Sequence, residues 1–327
     1  MSAKQITYLR KQPFIASLYI KAVLNTLIKT MTNTWSTQAL TQQYCVSGQT
    51  IERRNLQRYI KFCKFSNSDY VPVTYPFVIA FPLLMRLMTS AHFPIPILGL
   101  IHYKNSITQH APILKNAILT IICSASNDNT TVKGRFIETQ MDIFVDGQLV
   151  WACTSTFLQK SRQSEANKHS QSAEASSGNN VLGPDNNVLR PDNNVLRPDN
   201  NVLLDAQGMQ TVSSFEYHRL HALKYAYISG DTNPIHLHSI PAKLMGFRST
   251  IMHGMFAKAH VLAQLEAVID IQHISIEVQF KSAIFLPTQV CLNVALSPKN
   301  NTFSLTNSNK RVSHLSGVIY PLLNKTN

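Results

Sequence analysis

Two residues in the last third of the chain have the types and the spacing needed for acid–base chemistry. Asp231 stands five positions before His236, and Asn233 and Pro234 lie between them. Asn and Pro favour a tight turn, which would hold the two side chains close together. A carboxylate and an imidazole held in this way can take a proton from one water molecule and later return it.

A second feature lies about twenty residues later, where His253-Gly254 opens an apolar segment typical of a helix. The first backbone N–H groups of a helix have no partner within the helix. Such groups can stabilise an oxyanion that develops opposite the acid–base pair. The two features together indicate a site that can activate one water molecule and stabilise an oxyanion that develops opposite it.

These residues also have a purely structural interpretation. Asp231 could cap a helix, and Asp-x-Asn-Pro is an ordinary turn sequence. Ser229-Gly230 directly before the turn, and His253-Gly254 after it, favour the active-site interpretation. The remaining histidines of the region are better explained by packing, and the two tyrosines around Ala226 could be core residues of a strand. These residues are His238, His253, His260, Tyr225 and Tyr227.

The order of these residues resembles the hydratase-2 signature of the MaoC-like family, the (R)-specific enoyl-CoA hydratases. The resemblance runs through YAYISGDTNPIH and into MHGMFAKAHVLAQLE, and HISIEVQFKSAIFLPTQVCLNVAL is similar to the next two strands of that family. The chain departs from the family at His238, where an acidic or amide residue is common. It also has Ala283 and Pro287-Thr288 where the family has Pro followed by Gly-Asp.

The resemblance implies reversible addition of water to a trans-2-enoyl thioester of coenzyme A or of acyl carrier protein, within fatty-acid metabolism. It implies that Asp231 and His236 are the catalytic residues. Gly254, through its N–H, and Asn233 and His253 would position the substrate and its oxyanion. Around them, structural roles fall to Ser229, Gly230, Pro234 and Tyr225.

No metal and no bound organic cofactor is expected, because coenzyme A or the carrier protein is part of the substrate. Two alternatives stay open, a hot-dog thioesterase and a non-catalytic hot-dog module that binds acyl groups. Hot-dog thioesterases usually carry a carboxylate on the central helix, and here the helical segment has only Glu266, near its end.

A low-complexity segment divides the chain of 327 residues. It repeats NNVLGPD, NNVLRPD, NNVLRPD and NNVLLDA, and the prolines of the early copies prevent a continuous helix. We predict a disordered linker at residues 161–210. The other predicted units are an N-terminal extension (1–69), a non-catalytic domain (70–160) and a catalytic domain (211–327).

Both halves combine one apolar helical segment with strand-like runs. The helical segments are YPFVIAFPLLMRLM and residues 254–268, and Asp146-Gly147 between alternating apolar runs predicts a β-hairpin. We therefore predict an α+β double hot-dog, in which two antiparallel sheets each wrap around a central helix and pack as a pseudo-dimer. The first half has no Asp-x-Asn-Pro-x-His motif, so it should be a non-catalytic partner that shapes the acyl pocket.

The net charge indicates which partners to expect, and the cysteines indicate the cellular compartment. Lys and Arg number 30 against 17 Asp and Glu, a net charge of +13, which attracts acidic partners such as coenzyme A phosphates or an acyl carrier protein. No basic-aromatic stripe indicates specific nucleic-acid binding. The cysteines form no CxxC pair, which is typical of a reducing cytoplasm and argues against a zinc site.

The N-terminal apolar segment FIASLYIKAVLNTLI comes after several basic residues and is split by Lys21. It is too short to span a bilayer, so we predict no transmembrane segment there. A packed helix is expected, with a surface-lying amphipathic helix or a cleaved signal as alternatives. The whole sequence therefore predicts a cytoplasmic enzyme, either monomeric with an internal pseudo-dimer or homodimeric.

Overall fold

The computed structural model describes residues 5–32, 42–97, 100–160 and 208–322. The predicted linker at 161–210 falls almost entirely outside the described residues. The elements of the N-terminal half are β1 (Gln5–Leu9), α1 (Ile15–Thr32), β2 (Gln42–Thr50), α2 (Arg53–Cys63), α3 (Tyr75–Met88), β3 (Ile101–Gln109), β4 (Ile118–Thr131), β5 (Gly134–Val145) and β6 (Gln148–Lys160).

The C-terminal half has the same kinds of element. They are β7 (Gln210–Tyr217), α4 (Arg219–Ser229), α5 (Pro234–Leu237), α6 (Ser239–Leu244), α7 (Gly254–Leu265), β8 (Ile274–Phe280), β9 (Thr288–Ala295), β10 (Asn301–Asn307) and β11 (Ser313–Pro321). The two strands that the family resemblance implied after the central helix are present as β8 and β9, and α7 ends three residues before the predicted end at residue 268.

One sheet contains all these strands, in the order β1-β2-β4-β5-β6-β3-β8-β11-β10-β9-β7. Strands β3 and β8 pair antiparallel at the centre and join the two halves. Outward from that junction, β6-β5-β4-β2 on one side matches β11-β10-β9-β7 on the other. The predicted α+β double hot-dog is therefore confirmed, with its two sheets fused edge to edge.

The N-terminal hot-dog begins earlier than residue 70. Strand β2 pairs with β4, and α2 buries Leu56, Tyr59 and Cys63 in the core. The predicted boundary between an extension at 1–69 and a domain at 70–160 therefore cuts through one packed unit. Strand β1, from the same extension, pairs parallel with β2, an exception to the antiparallel pattern.

Helices α3 and α7 are the two central helices. Nearly every side chain of both is buried, which explains why their sequences are apolar on all sides. Pro82 lies within α3 without ending it. The predicted hairpin is also present, since Asp146 (φ 50°) and Gly147 (φ 79°) adopt the left-handed backbone that a two-residue turn between β5 and β6 requires.

A buried lysine connects the two halves. Lys258 of α7 donates from Nζ to Oδ1 of Asn105 on β3, at 2.6 Å. Asn105 in turn donates from Nδ2 to Oγ of Ser155, at 3.0 Å. Burial lowers the pKa of Lys258 to about 7, because the charged ammonium lacks water there.

The N-terminal apolar segment forms α1 and packs against the body of the protein. Leu18 and Ala22 are buried in the main core cluster. The prediction of a packed helix is thus confirmed. None of the described helices combines the length and the apolar character needed to cross a membrane.

Candidate active site

The Ser229-Gly230 pair ends α4 and turns the chain. Gly230 is the left-handed C-cap, with φ 74°. Ser229 Oγ donates to the carbonyl of Tyr225 at 2.7 Å and accepts from the N–H of Asp231 at 3.2 Å. The two residues therefore fix the direction in which the chain leaves the helix and presents Asp231.

Asn233 and Pro234 then start the short helix α5. Asn233 Oδ1 accepts from the N–H of Ile235 at 3.4 Å, and Pro234 takes the first helical position, where a missing N–H costs nothing. Asp231 Oδ1 accepts from the N–H of Asn233 at 3.3 Å. The predicted turn is thus present, but the residue that caps α5 is Asn233 and not Asp231. This local structure holds Asp231 and His236 together.

His236 has one defined tautomer. Its Nδ1 lies 2.9 Å from the carbonyl oxygen of Ile251, and a carbonyl only accepts, so Nδ1 carries the proton and Nε2 is left with a lone pair. Burial lowers the pKa of His236, and the charge of Asp231 opposes this shift only in part. At neutral pH His236 is therefore an uncharged base.

Asp231 is the charged member of the pair. Burial pushes its pKa upward, but the nearby rings of His253 and His236 and the hydrogen bonds from Tyr19 and the Asn233 N–H outweigh burial. The pKa of Asp231 is lowered overall. The site thus contains a carboxylate beside a neutral imidazole.

The separation of these groups suits one shared water molecule. One ring nitrogen each of His236 and His253 and one carboxylate oxygen of Asp231 lie within 4.8 Å of one another. A water that donates two tetrahedral hydrogen bonds of about 2.8 Å bridges acceptors about 4.6 Å apart. The Asp231 carboxylate and the His236 ring are therefore close enough to contact the same water molecule.

His253 connects the central helix to this turn. Its Nε2 donates to the backbone carbonyl of Asp231 at 2.9 Å, and its ring stacks on His236 with centroids 3.7 Å apart. Burial lowers the pKa of His253 to about 3, so the ring is neutral at neutral pH. These contacts fit a positioning role.

Asp231, His236 and His253 are poorly arranged as ligands of a metal ion. The two rings stack at an interplanar angle of 25°. The in-plane lone pairs of stacked rings run side by side instead of converging on one tetrahedral ion. The fit is poor, and the absence of a metal stays a prediction.

Gly254 is the first residue of α7, so its N–H precedes the hydrogen bonds of the helix. A Cβ at this position would lie 2.8 Å from Cε1 of Phe280. In the structure the neighbour that excludes a side chain is the ring of Phe280.

An apolar pocket leads to Asp231, His236 and Gly254, and both halves line it. One face of α3 contributes Phe77, Phe81, Leu84, Met85 and Met88. Further lining comes from Ile97, Leu100, Ile101, Phe157, Met252, Ile284 and Leu315. The half without the Asp-x-Asn-Pro-x-His motif therefore does form much of the pocket wall.

Tyr19 of α1 is a site residue that sequence reasoning missed. Its hydroxyl donates to Oδ1 of Asp231 at 2.9 Å, and its side chain lines the pocket. Tyr19 lies 212 residues before Asp231, within an apolar segment that carries no motif. The sequence contains no signal that would have linked the two.

The tyrosines and histidines around the turn occupy different places. Tyr225 and Tyr227 lie on helix α4 and not on a strand; Tyr225 is buried beside His253, whereas Tyr227 is 70% exposed. The packing interpretation holds for His260, whose Nδ1 meets the Tyr217 hydroxyl at 3.1 Å. His238 caps α6 by accepting from the N–H of Ile240.

Glu266, the carboxylate that a thioesterase interpretation would use, lies away from the pocket. It is the C-cap of α7 and accepts a hydrogen bond from the N–H of Ser66. At 1.5 Å per helical residue it stands about 18 Å from Gly254. This placement disfavours the thioesterase alternative.

Comparisons with known proteins agree with this geometry. Residues 205–318 match the model of the MaoC-like domain. The chain is 29% identical over 269 residues to 3-hydroxyacyl-thioester dehydratase X of Mycobacterium tuberculosis, covering 82% of this chain and 85% of that protein. A crystal structure of HtdX from that organism superposes with a TM-score of 0.68 at 26% identity, covering 86% of this chain and 100% of the other.

A MaoC-like dehydratase from Phytophthora capsici shares the fold, with a TM-score of 0.61 at 17% identity over 86% of this chain and 95% of that one. The matched domain contains the whole turn from Ser229 to His236 and the start of α7. The N-terminal half, which the family model does not reach, is covered by the match to HtdX. Residues 205–318 therefore match the MaoC-like domain, and the fold of both halves is similar to that of MaoC-like dehydratases.

Proposed function

We propose that this chain is an (R)-specific enoyl thioester hydratase, or 3-hydroxyacyl thioester dehydratase when it runs in reverse. The substrate is a trans-2-enoyl thioester, and the product is the (R)-3-hydroxyacyl thioester. The observation that carries the proposal is the pair of a half-buried carboxylate, Asp231, and a neutral imidazole, His236, at the end of an apolar pocket. The relative named as a 3-hydroxyacyl-thioester dehydratase supports the same reaction.

In this mechanism one water molecule lies between Asp231 and His236 Nε2, both of which accept its protons. As the water oxygen forms a bond to C3, one O–H bond breaks and its proton passes to the pair. The π electrons move towards the thioester oxygen, and C2 then takes a proton from the pair. The overall change adds H to C2 and OH to C3, so no redox step or cofactor is required.

The negative charge that develops on the thioester oxygen needs a donor. The N–H of Gly254 at the start of α7 is the group that we assign to it, with the positive end of the helix dipole adding to its effect. One such donor is worth about 3 kcal/mol of barrier in other acyl-transfer sites. Asn233 would hold the shape of the turn through its hydrogen bond from the Ile235 N–H. His253 would fix the start of α7 relative to that turn through its hydrogen bond to the Asp231 carbonyl.

The acyl chain would lie in the apolar pocket beside α3. The carrier would enter near Lys281, which lines the pocket and is half-buried. With the net charge of +13, this suits the phosphates of coenzyme A or the acidic surface of an acyl carrier protein. We propose both carriers as candidates.

The proposal is tested by following the loss of enoyl thioester absorbance with purified protein. The assay should cover enoyl-CoA substrates of increasing chain length and be repeated with enoyl-carrier-protein substrates. The product is then offered to dehydrogenases specific for the (R) or the (S) 3-hydroxyacyl thioester. Oxidation by the (S)-specific enzyme alone, or release of free thiol without hydration, would contradict the proposed function.

The cytoplasmic location, the lack of a bound cofactor and the choice between monomer and homodimer stay predictions. Size-exclusion chromatography with light scattering distinguishes the last two. Strand pairing between β3 and β8 already provides within one chain the contact that two single hot-dog chains would make as a dimer.

A further inference from the structure

Helix α1, outside the pseudo-symmetric core of the two halves, reaches the proposed active site. Its buried face carries Ile15, Leu18, Tyr19 and Ala22, at the 3–4 residue spacing of one helical face. Leu18 and Ala22 are 5% and 1% exposed. Ile15 lies against Gly230, since a Cβ built on Gly230 would lie 3.6 Å from Ile15 Cγ1.

Two polar contacts fix α1 along the central helix α3. Before α1 begins, Gln12 donates from Nε2 to the carbonyl of Ile79 at 2.9 Å. Within α1, Asn25 donates from Nδ2 to the carbonyl of Thr89, the C-cap of α3, at 3.0 Å. Tyr19 lies between these two anchors, so its position over Asp231 is determined from both sides.

The hydrogen bonds to the Asp231 carboxylate are unevenly distributed. Oδ1 accepts from the Tyr19 hydroxyl at 2.9 Å and from the Asn233 N–H at 3.3 Å. Both of these hydrogen bonds are thus accepted by one oxygen of the carboxylate. A carboxylate held by two donors on one oxygen keeps a single orientation and leaves the other oxygen for a water molecule.

We propose, resting on the proposed hydratase function, that Tyr19 is a positioning residue of the active site: its hydroxyl holds Oδ1 of Asp231 so that Oδ2 faces the water. The N-terminal helix then belongs to the catalytic machinery of this chain and is not an appendage. Burial and the charge of Asp231 both raise the pKa of Tyr19, so the phenol stays protonated and remains a donor.

The test is Tyr19→Phe, which removes one hydrogen bond and keeps the packing of the ring. Loss of a charge-assisted hydrogen bond should lower kcat for enoyl-CoA hydration about tenfold with little change in KM. Because this bond stabilises the carboxylate, the variant should also raise the pKa of Asp231 and move the acid limb of the pH–rate profile to higher pH.

Tyr8→Phe is the matched control, since Tyr8 is also a tyrosine of the N-terminal segment but is 74% exposed on β1. It should behave as the wild type in every assay. Circular dichroism and thermal melting of both variants check that each is folded.

A second readout does not depend on activity. NMR titration of aspartate carbons labelled with ¹³C reports the pKa of Asp231 directly, with Asp231→Asn identifying its signal. A higher pKa in Tyr19→Phe supports the inference even if no enoyl thioester is hydrated, an outcome that would reject only the proposed reaction. An unchanged pKa overturns the inference, and so does an unchanged kcat in an active enzyme.

Discussion

The two halves of the sheet share one topology but differ in the residues that follow two equivalent helices, α2 and α4. Helices α2 and α4 each have eleven residues, and each ends at a left-handed C-cap, Lys64 in one and Gly230 in the other. Tyr59 and Tyr225 occupy the same position in these helices, and their rings meet 6.3 Å apart across the pseudo-twofold axis. The backbone framework of an active site is therefore present twice.

The residues that we propose to carry out the reaction are present in one half only of the described chain. The residue after the C-cap is Asp231 in the C-terminal half and Phe65, buried in the core, in the N-terminal half. The central helix of the N-terminal half has Pro76 in its first turn, without an N–H, and the N–H of Tyr75 is already donated to the carbonyl of Pro72. Without the carboxylate and the free helix N–H, the N-terminal half serves as a pocket wall.

The connections between these elements differ as well. From Lys64 the chain reaches α3 at Tyr75, whereas from Gly230 it reaches α7 only at Gly254. The longer connection contains α5 and α6, and α5 carries His236. The shorter one has no room for an equivalent helix, so a single substitution in the N-terminal half would not restore a second site.

The largest effect should come from the turn that distinguishes the halves. We expect Asp231→Asn or His236→Ala to lower kcat at least about a hundredfold, because each removes a group that moves a proton. Steady-state hydration of crotonyl-CoA measures this. The counterpart control is Asn67→Ala, an exposed site that bonds Lys115 in the N-terminal half and should leave kcat unchanged. Near-wild-type rates in a folded Asp231→Asn protein would contradict the assignment.

A smaller loss is expected from Gly254→Ala at the start of α7. The added Cβ would press on the Phe280 ring at 2.8 Å, shifting the helix start and its N–H. Turnover should fall about tenfold, since displacement weakens one oxyanion donor without deleting it. Phe280→Leu in the same chain should recover part of the loss, which a double-mutant cycle detects. Independent losses that simply add would show that the ring is not the cause.

The pocket wall formed by α3 should determine which acyl chain lengths the enzyme accepts. Leu84 lines the pocket. Leu84→Phe should therefore reduce kcat/KM for long acyl groups several-fold more than for crotonyl-CoA. The larger side chain takes up room that a long acyl group needs but leaves the reacting groups unchanged. Ile79→Phe, on the same helix but outside the pocket lining, is the control. Equal losses for short and long substrates in Leu84→Phe would indicate misfolding instead.

The smallest effect concerns the junction between the halves. Lys258 has its pKa lowered to about 7 in the folded protein, against about 10.4 in an unfolded chain. Between these values the unfolded state binds the extra proton, so the free energy of unfolding should rise with pH above about 7.

Over pH 7 to about 8.5 the rise should be on the order of 1 kcal/mol, and Lys258→Met should lack it. Urea denaturation midpoints at several pH values measure the difference between the two proteins. Only the slope with pH is compared, because the variant also leaves Asn105 Oδ1 without its donor. Parallel slopes for both proteins would show that Lys258 keeps its proton throughout this range.

Local sequence determined the turn from Ser229 to His236. The local hydrogen bonds that shape its backbone join residues no more than four positions apart, and they use an Asx cap, a proline at the helix start and a left-handed glycine. Such preferences act within a few residues, so the sequence was sufficient to bring Asp231 and His236 together. The apolar helical segments α3 and α7 and the Asp146-Gly147 hairpin were predictable for the same reason.

Tertiary structure alone decided what surrounds that turn. Tyr19 meets Asp231 across 212 residues, and Lys258 meets Asn105 across 153. Which strand joins the halves, and which ring fills the space over Gly254, depend on the packing of elements that are far apart in the chain. No local propensity encodes such contacts, because a side chain's own sequence neighbours do not specify which distant surface it will meet.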